Sequence, residues 1–194
     1  MFTQFAVFLL VHFVAASYDD RYDMSKLPFD LRPIRGFIGL WEIISRTDSS
    51  NELPPPDLID IAINPLPKFG ARAANITHTY FNHNKEVIRS DYGFMPIKNA
   101  TRRDPRIHIA YLTTSSEGYS QMEQGQVRGN NISFHLKQFL RRSFAVGNGI
   151  EDLEIREFER QMELPDPNHL KMKVRAQTAN GVESYIAIYQ KISP

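Results

Sequence analysis

The sequence contains no cysteine. That excludes disulfides, thiol catalysis and cysteine-ligated zinc or iron–sulfur centres. It also lacks an excess of charge of either sign: 23 Lys and Arg face 22 Asp and Glu, a net charge of +1. So balanced a chain carries no electrostatic footprint for nucleic acid or an anionic membrane. The pairs Arg102-Arg103 and Arg141-Arg142 read as solvated charges in loops or at strand ends. No G-x-S-x-G, Walker A, H-E-x-x-H or EF-hand pattern occurs, so no motif points to an enzyme. Glu151-Asp152 and Glu157 with Glu159 lie in charged stretches and read as solvated, not as an acid/base pair.

Long apolar runs are scarce as well. The main one, Phe5 to Ala16, is shorter than the ~20 residues of a membrane-spanning helix. Small residues, Ala15-Ala16-Ser17, follow it, and then the soluble stretch Tyr18-Asp19-Asp20. A short apolar run with a small-residue exit reads as a secretory signal peptide over residues 1–17. The expectation is a secreted, extracellular protein with no membrane attachment after cleavage. Three sequons agree with export: Asn75-Ile76-Thr77, Asn99-Ala100-Thr101 and Asn131-Ile132-Ser133. Asn75, Asn99 and Asn131 are therefore the expected glycosylation sites, and Asn99, in the polar turn 98–104, reads as the most open.

What the chain has in quantity is short strands. After a polar leader over residues 18–35, broken by Pro28 and Pro33 and read as having little regular structure, ten strand candidates follow. They are Phe37–Arg46, Leu58–Ile63, Arg72–Phe81, Glu86–Lys98, Arg106–Thr114, Tyr119–Val127, Asn131–Phe139, Leu153–Leu164, His169–Gln177 and Glu183–Ile192. Turn residues such as Gly129-Asn130 and Asn180-Gly181 separate them. Leu170, Met172, Val174 and Ala176 alternate with Lys171, Lys173 and Arg175, the period of a half-buried strand. Over 153–164 the apolar residues, at 153, 155, 158, 162 and 164, break strand phase and also suit a helix; a β-bulge near Glu157 would restore the strand. The pattern predicts an all-β chain over residues 36–194, an antiparallel sandwich or barrel.

Strand phase sorts the histidines. A glycosylated Asn75 must face outward, so Ile76, His78 and Tyr80 point into the barrel. The same phase puts His135 and His169 outside, and His83 lies in a turn. His78 is thus the best pocket-facing histidine.

From Gly36 onward the chain resembles the nitrobindin family, the haem-binding β-barrel domain also found at the end of the THAP4 protein. Gly39-Leu40-Trp41 falls where the family has Gly-x-Trp, and 92–98 resembles its Gly-Phe-Ile-Arg-Leu-Lys strand. Met122 to Val127 is similar to its Glu-Glu-Gly-Glu-Val turn, and Arg142-Ser143-Phe144-Ala145 to its Ile-Ser-Phe-Ala segment. The ending from Ala187 resembles its Val-Thr-Tyr-Lys-Lys close. The resemblance implies a single antiparallel up-and-down β-barrel of about ten strands, shaped like lipocalins and fatty-acid-binding proteins, with haem held by a histidine on the last strand. Counting back from the shared ending puts that position at Ser184, with Ile186 two residues on. Serine is a poor axial ligand beside His, Cys, Met or Tyr. The segment Ser45–Asp57, with three prolines, also departs from the family's Gly-rich pattern.

With Ser184, Ile186 and Ile188 facing inward beside Ile76, His78 and Tyr80, the expected occupant is a small hydrophobic ligand and not haem bound through the last strand. One alternative is a haem protein that uses His78, with nitric oxide or peroxynitrite isomerase-like chemistry. The other is an extracellular interaction protein with a filled barrel.

Overall fold

A computed structural model describes residues 20–48, 53–64, 73–144 and 153–193. The expected signal peptide at 1–17 lies outside them. Ten strands follow in chain order: β1 Gly39–Asp48, β2 Leu58–Ile63, β3 Ala73–Phe81, β4 Val87–Lys98, β5 Ile107–Ser115, β6 Tyr119–Arg128, β7 Asn131–Arg141, β8 Ile155–Asp166, β9 His169–Thr178 and β10 Val182–Lys191. Each pairs antiparallel with its neighbours in the chain, and β10 closes on β1. Of the sandwich and the barrel that alternation and turn residues left open, the structure is the up-and-down barrel that the family resemblance implies, and closure leaves no free sheet edge. Among the described residues no helix is long and apolar enough to cross a membrane.

The phase break in β8 is a bulge. The register with β9 shifts between Ile155 and Glu157, so Arg156 and Glu157 both face out. After it Phe158, Arg160, Met162 and Leu164 all point inward, as one inserted residue requires.

The leader is not irregular, which corrects the sequence expectation. Three 3-10 segments occupy Asp20–Tyr22, Met24–Lys26 and Phe29–Phe37. Leu31, Ile34 and Phe37 are buried at every third position, and in a 3-10 helix residues three apart share one face. Pro33 sits inside this run and does not break it. The segment crosses one end of the barrel as a plug. The Phe37 carbonyl accepts from Trp41 Nε1 at 2.9 Å, the Asp30 carbonyl accepts from Asn99 Nδ2 at 3.2 Å, and Gly36 lies against Leu164. Farther back, Arg21 and Tyr22 both bind the Asp60 carboxylate on the outer face of β2.

The interior divides along the barrel axis. Next to the plug it is apolar: Trp41, Ile61, Ile76, Met95, Phe134 and Met172 are fully buried. Toward the other end, where the β3–β4, β5–β6 and β9–β10 turns lie, the inward side chains become polar.

Tight coiling of the strands depends on glycine at one inward position in particular. A Cβ added to Gly93 would stand 1.7 Å from the Leu112 carbonyl oxygen, so β4 and β5 approach there as no side chain would allow. Gly93→Ala is expected to destabilise the fold by about 3 kcal/mol or more, the upper range for overpacking. Urea denaturation measures it, and a loss under about 1 kcal/mol would show that the strand can bend elsewhere.

Candidate functional site

The polar end of the interior is a chamber built from alternate residues of six strands. β3 contributes His78 and Tyr80, β4 Arg89 and Asp91, β5 Tyr111, β6 Tyr119, Gln121 and Glu123, β8 Arg160, and β10 Tyr185. Two guanidinium–carboxylate pairs organise it. Arg160 binds Glu123 through two bonds, Nε to Oε2 at 3.1 Å and a terminal nitrogen to Oε1 at 3.0 Å. Arg89 binds Asp91 in the same bidentate way, at 2.9 and 2.8 Å. Each cation also lies between rings: Arg160 is 4.5 Å from the Tyr111 centroid and 5.1 Å from Phe158. Arg89 is 4.4 Å from Tyr80 and 5.1 Å from Tyr119. Guanidinium suits both contacts, being planar, weakly hydrated and always charged.

His78 joins the two pairs. Its Nε2 is 2.5 Å from the Tyr111 hydroxyl, and its Nδ1 is 3.8 Å from Asp91 Oδ2. Burial raises the Tyr111 pKa, so the phenol keeps its proton and donates it to Nε2. The ring proton then sits on Nδ1, toward Asp91, a tautomer assigned from this network. Burial lowers the His78 pKa, with Asp91 opposing it, and the ring is neutral near pH 7. Burial alone would raise Asp91, but the His78 ring and Arg89 outweigh it and hold the carboxyl well below its usual range. Burial opposes the Arg160 charge, and Glu123 more than compensates. Burial also raises the Glu123 carboxyl, against the pull of Arg160. The bidentate geometry, with both Glu123 oxygens accepting from the always-charged Arg160, is that of an ionised pair.

The space left between these groups is about 30 Å³, roughly one water's share of liquid volume. Tyr119 Oη is buried beside the Ser115 side chain. The chamber reaches the surface beside Arg89, where Glu117 Oε2, on an exposed turn, lies 3.4 Å from the guanidinium. The roomy apolar interior expected for a hydrophobic ligand does not occur among the described residues, because charged and phenolic side chains fill that end.

Ile76, His78 and Tyr80 do point inward, but into different surroundings: Ile76 lies in the apolar half, the other two in the chamber. The expected phase of β10 is reversed. Tyr185, Ala187 and Tyr189 are buried, while Ser184, Ile186 and Ile188 are on the outer face, with Ile186 exposed. Ser184, Ile186 and Ile188 stand directly opposite Arg175, Lys173 and Lys171. Cross-strand partners share a face, and β9 was already read as basic outside, so that pairing was the available signal. Branched apolar residues on one side of β10 and tyrosines on the other made either phase readable. Of the sequons, Asn131 is exposed and Asn75 and Asn99 are half-buried. Asn99 Nδ2 is engaged with the Asp30 carbonyl and carboxylate.

The charged members of the chamber were not anticipated. Arg160 shares parity with Phe158 and Met162 once the bulge is placed, which could have revealed it. Glu123 lies on a strand polar on both faces, which gives no signal.

A ten-stranded closed barrel with an internal chamber matches a known class. The sequence model of the THAP4-like, heme-binding β-barrel domain covers residues 30–188, and the chain belongs to that family. It is 24% identical over 195 aligned residues to the uncharacterized protein C28H8.5 of Caenorhabditis elegans, with 91% of this chain and 61% of that protein aligned. The chain thus spans about three fifths of that relative's length. The crystal structure of Rv2717c from M. tuberculosis superposes with a TM-score of 0.60 at 14% identity. That match covers 86% of this chain and 99% of Rv2717c, a likeness of fold.

Removing one partner of a fully buried pair strands the other charge. Glu123→Gln is expected to cost roughly 3–5 kcal/mol. The double variant Glu123→Leu with Arg160→Met should recover most of that loss, since apolar replacements of such pairs are often neutral or better. Urea denaturation of both variants checks this; equal losses in the two would mean the pair itself holds the barrel together.

Proposed function

We propose that this chain is an exported ligand-binding barrel that works without haem and takes a compact polar ligand at the chamber. The observation that carries this is the chamber's filling. About 30 Å³ of space is far below the roughly 300–1,000 Å³ of pockets that hold drug-sized molecules, and a porphyrin needs room on that scale. The donor set also argues against iron. Both His78 nitrogens face partners, Tyr111 and Asp91. Ser184 lies on the outer face of β10. Tyr185 faces the chamber, but burial pushes its phenol up to about 12, away from the phenolate that binds iron.

A small polar molecule suits the same walls. Tyr119 offers a buried hydroxyl whose protein neighbour is the Ser115 side chain, and Arg89 offers a cation whose second carboxylate, Glu117, comes from an exposed turn. A ligand carboxylate or similar anion would take the place of Glu117 on Arg89. An apolar ligand would have to displace paired charges, at the cost of leaving them buried and unpaired.

His78 and Tyr185 inside the chamber favour haem binding as the second reading. A haem titration separates the two. The wild type should give the spectrum of free haem, unchanged in His78→Ala and Tyr185→Phe. A tight five-coordinate spectrum, lost in either variant, would establish the haem reading in its place.

A further inference from the structure

The outer surface of β4 to β7 carries a groove of about 570 Å³ with an apolar floor. Tyr92, Phe94 and Leu140 stand there 50%, 39% and 55% exposed. Contiguous apolar surface of this kind usually marks a face that something covers. The strand register shows what lies at its head. Asn75 is directly opposite Phe94, Phe94 opposite Leu112, Leu112 opposite Met122, and Met122 opposite Gln138. Residues so paired have Cβ atoms about 4.5–5.5 Å apart on one face. Thr77, the third residue of the Asn75 sequon, is opposite Tyr92 in the next row.

We propose that the N-glycan of Asn75 covers this groove, its first sugars lying on Phe94 and Tyr92. This rests on the reading of the chain as exported. The Asn75 carboxamide is turned with Oδ1 buried and without a partner, which leaves Nδ2, the attachment atom, on the outer side. Tyr92 and Phe94 form an edge-to-face pair with centroids 5.5 Å apart and planes at 78°, an aromatic corner against which a sugar face can pack. A pyranose presents a face of C–H groups that packs on aromatic rings and a rim of hydroxyls that needs polar partners. The groove supplies those too, in Thr114, Ser120 and Gln138. The occupant is part of this chain and tethered at the groove's edge, so its effective concentration there is high. The other two sequons lack such a platform in register: Asn131 is opposite Arg128 and Glu163, and Asn99 Nδ2 is bonded to Asp30.

The test uses the full chain secreted from a eukaryotic host, with glycopeptide mass spectrometry at the three sequons. Thr77→Ala abolishes the Asn75 sequon without touching the asparagine, and Thr77→Ser keeps it. The expected result is a glycan on Asn75, a melting temperature lowered by roughly 2–4 °C in Thr77→Ala, and no change in Thr77→Ser. In a Phe94→Ser background the effect of Thr77→Ala should vanish. A glycan at Asn131 but none at Asn75 would overturn the inference while leaving export standing. No glycan at any sequon would instead undo the export reading on which it rests. An occupied Asn75 whose loss changes nothing, or acts equally without Phe94, would show that the sugar does not lie in the groove. A dimer that dissociates on Tyr92→Ser would give the face to a second copy.

Discussion

Two buried guanidinium–carboxylate pairs, Arg160 with Glu123 and Arg89 with Asp91, set the character of this barrel's interior. Neither is placed where stability would ask for it. Glu123 has 0% of its side chain exposed, and taking both charges of such a pair from water costs several kcal/mol per ion. Their mutual attraction recovers that only with full hydrogen bonding. The structure meets the condition: both oxygens of Glu123 accept from Arg160, and Gln121 adds a third bond at 3.0 Å. His78 and Tyr111 then tie this pair to the other, so the chamber is one connected network. Such networks hold one arrangement of side chains and exclude others, which is the property a selective small site needs.

The axial division of the barrel follows from where the chain spends its apolar residues. The plug and the lower interior form a continuous core that includes Trp41, and Lys191 lies 5.0 Å over the Trp41 ring. The core continues along the chamber wall through Tyr111, Phe158 and Tyr185, and the charged pairs stand against it. The outer face of β4 to β7 presents a different chemistry, aromatic and open, on the same strands whose inner residues carry Arg89, Asp91 and Glu123.

The strands were legible in the sequence because alternation leaves a period-two signature, and all ten lie within two residues of the expected bounds; closure leaves no such mark, and only the family resemblance separated a barrel from a sandwich. The plug was missed because Pro28 and Pro33 read as breakers, while the three-residue spacing of Leu31, Ile34 and Phe37 is the mark of a 3-10 face. The site was only half legible. His78 and Tyr80 followed from the outward phase of Asn75. Ser184, Ile186 and Ile188 were expected inside because the family's iron-ligand position, counted back from the shared ending, falls at Ser184, but on β10 they lie beside the basic side chains of β9 and the tyrosines go inward. Arg160 and Glu123 were invisible as a pair, since nothing local marks two charges 37 positions apart as partners.

His78 sits at the junction of the network, so its protonation reports directly on whether the chamber is paired. Burial lowers its pKa from the ordinary 6.5. The unfolded chain therefore takes up the proton first, and this histidine makes stability fall as pH drops below about 6.5. Nitrogen-detected NMR of the imidazole, followed from pH 8 to pH 5, tests the account at its centre. The expected spectrum shows a neutral ring, protonated at Nδ1, that persists below pH 6.5. A ring that titrates at 6.5 or above, or that carries its proton on Nε2, would contradict the paired network described here.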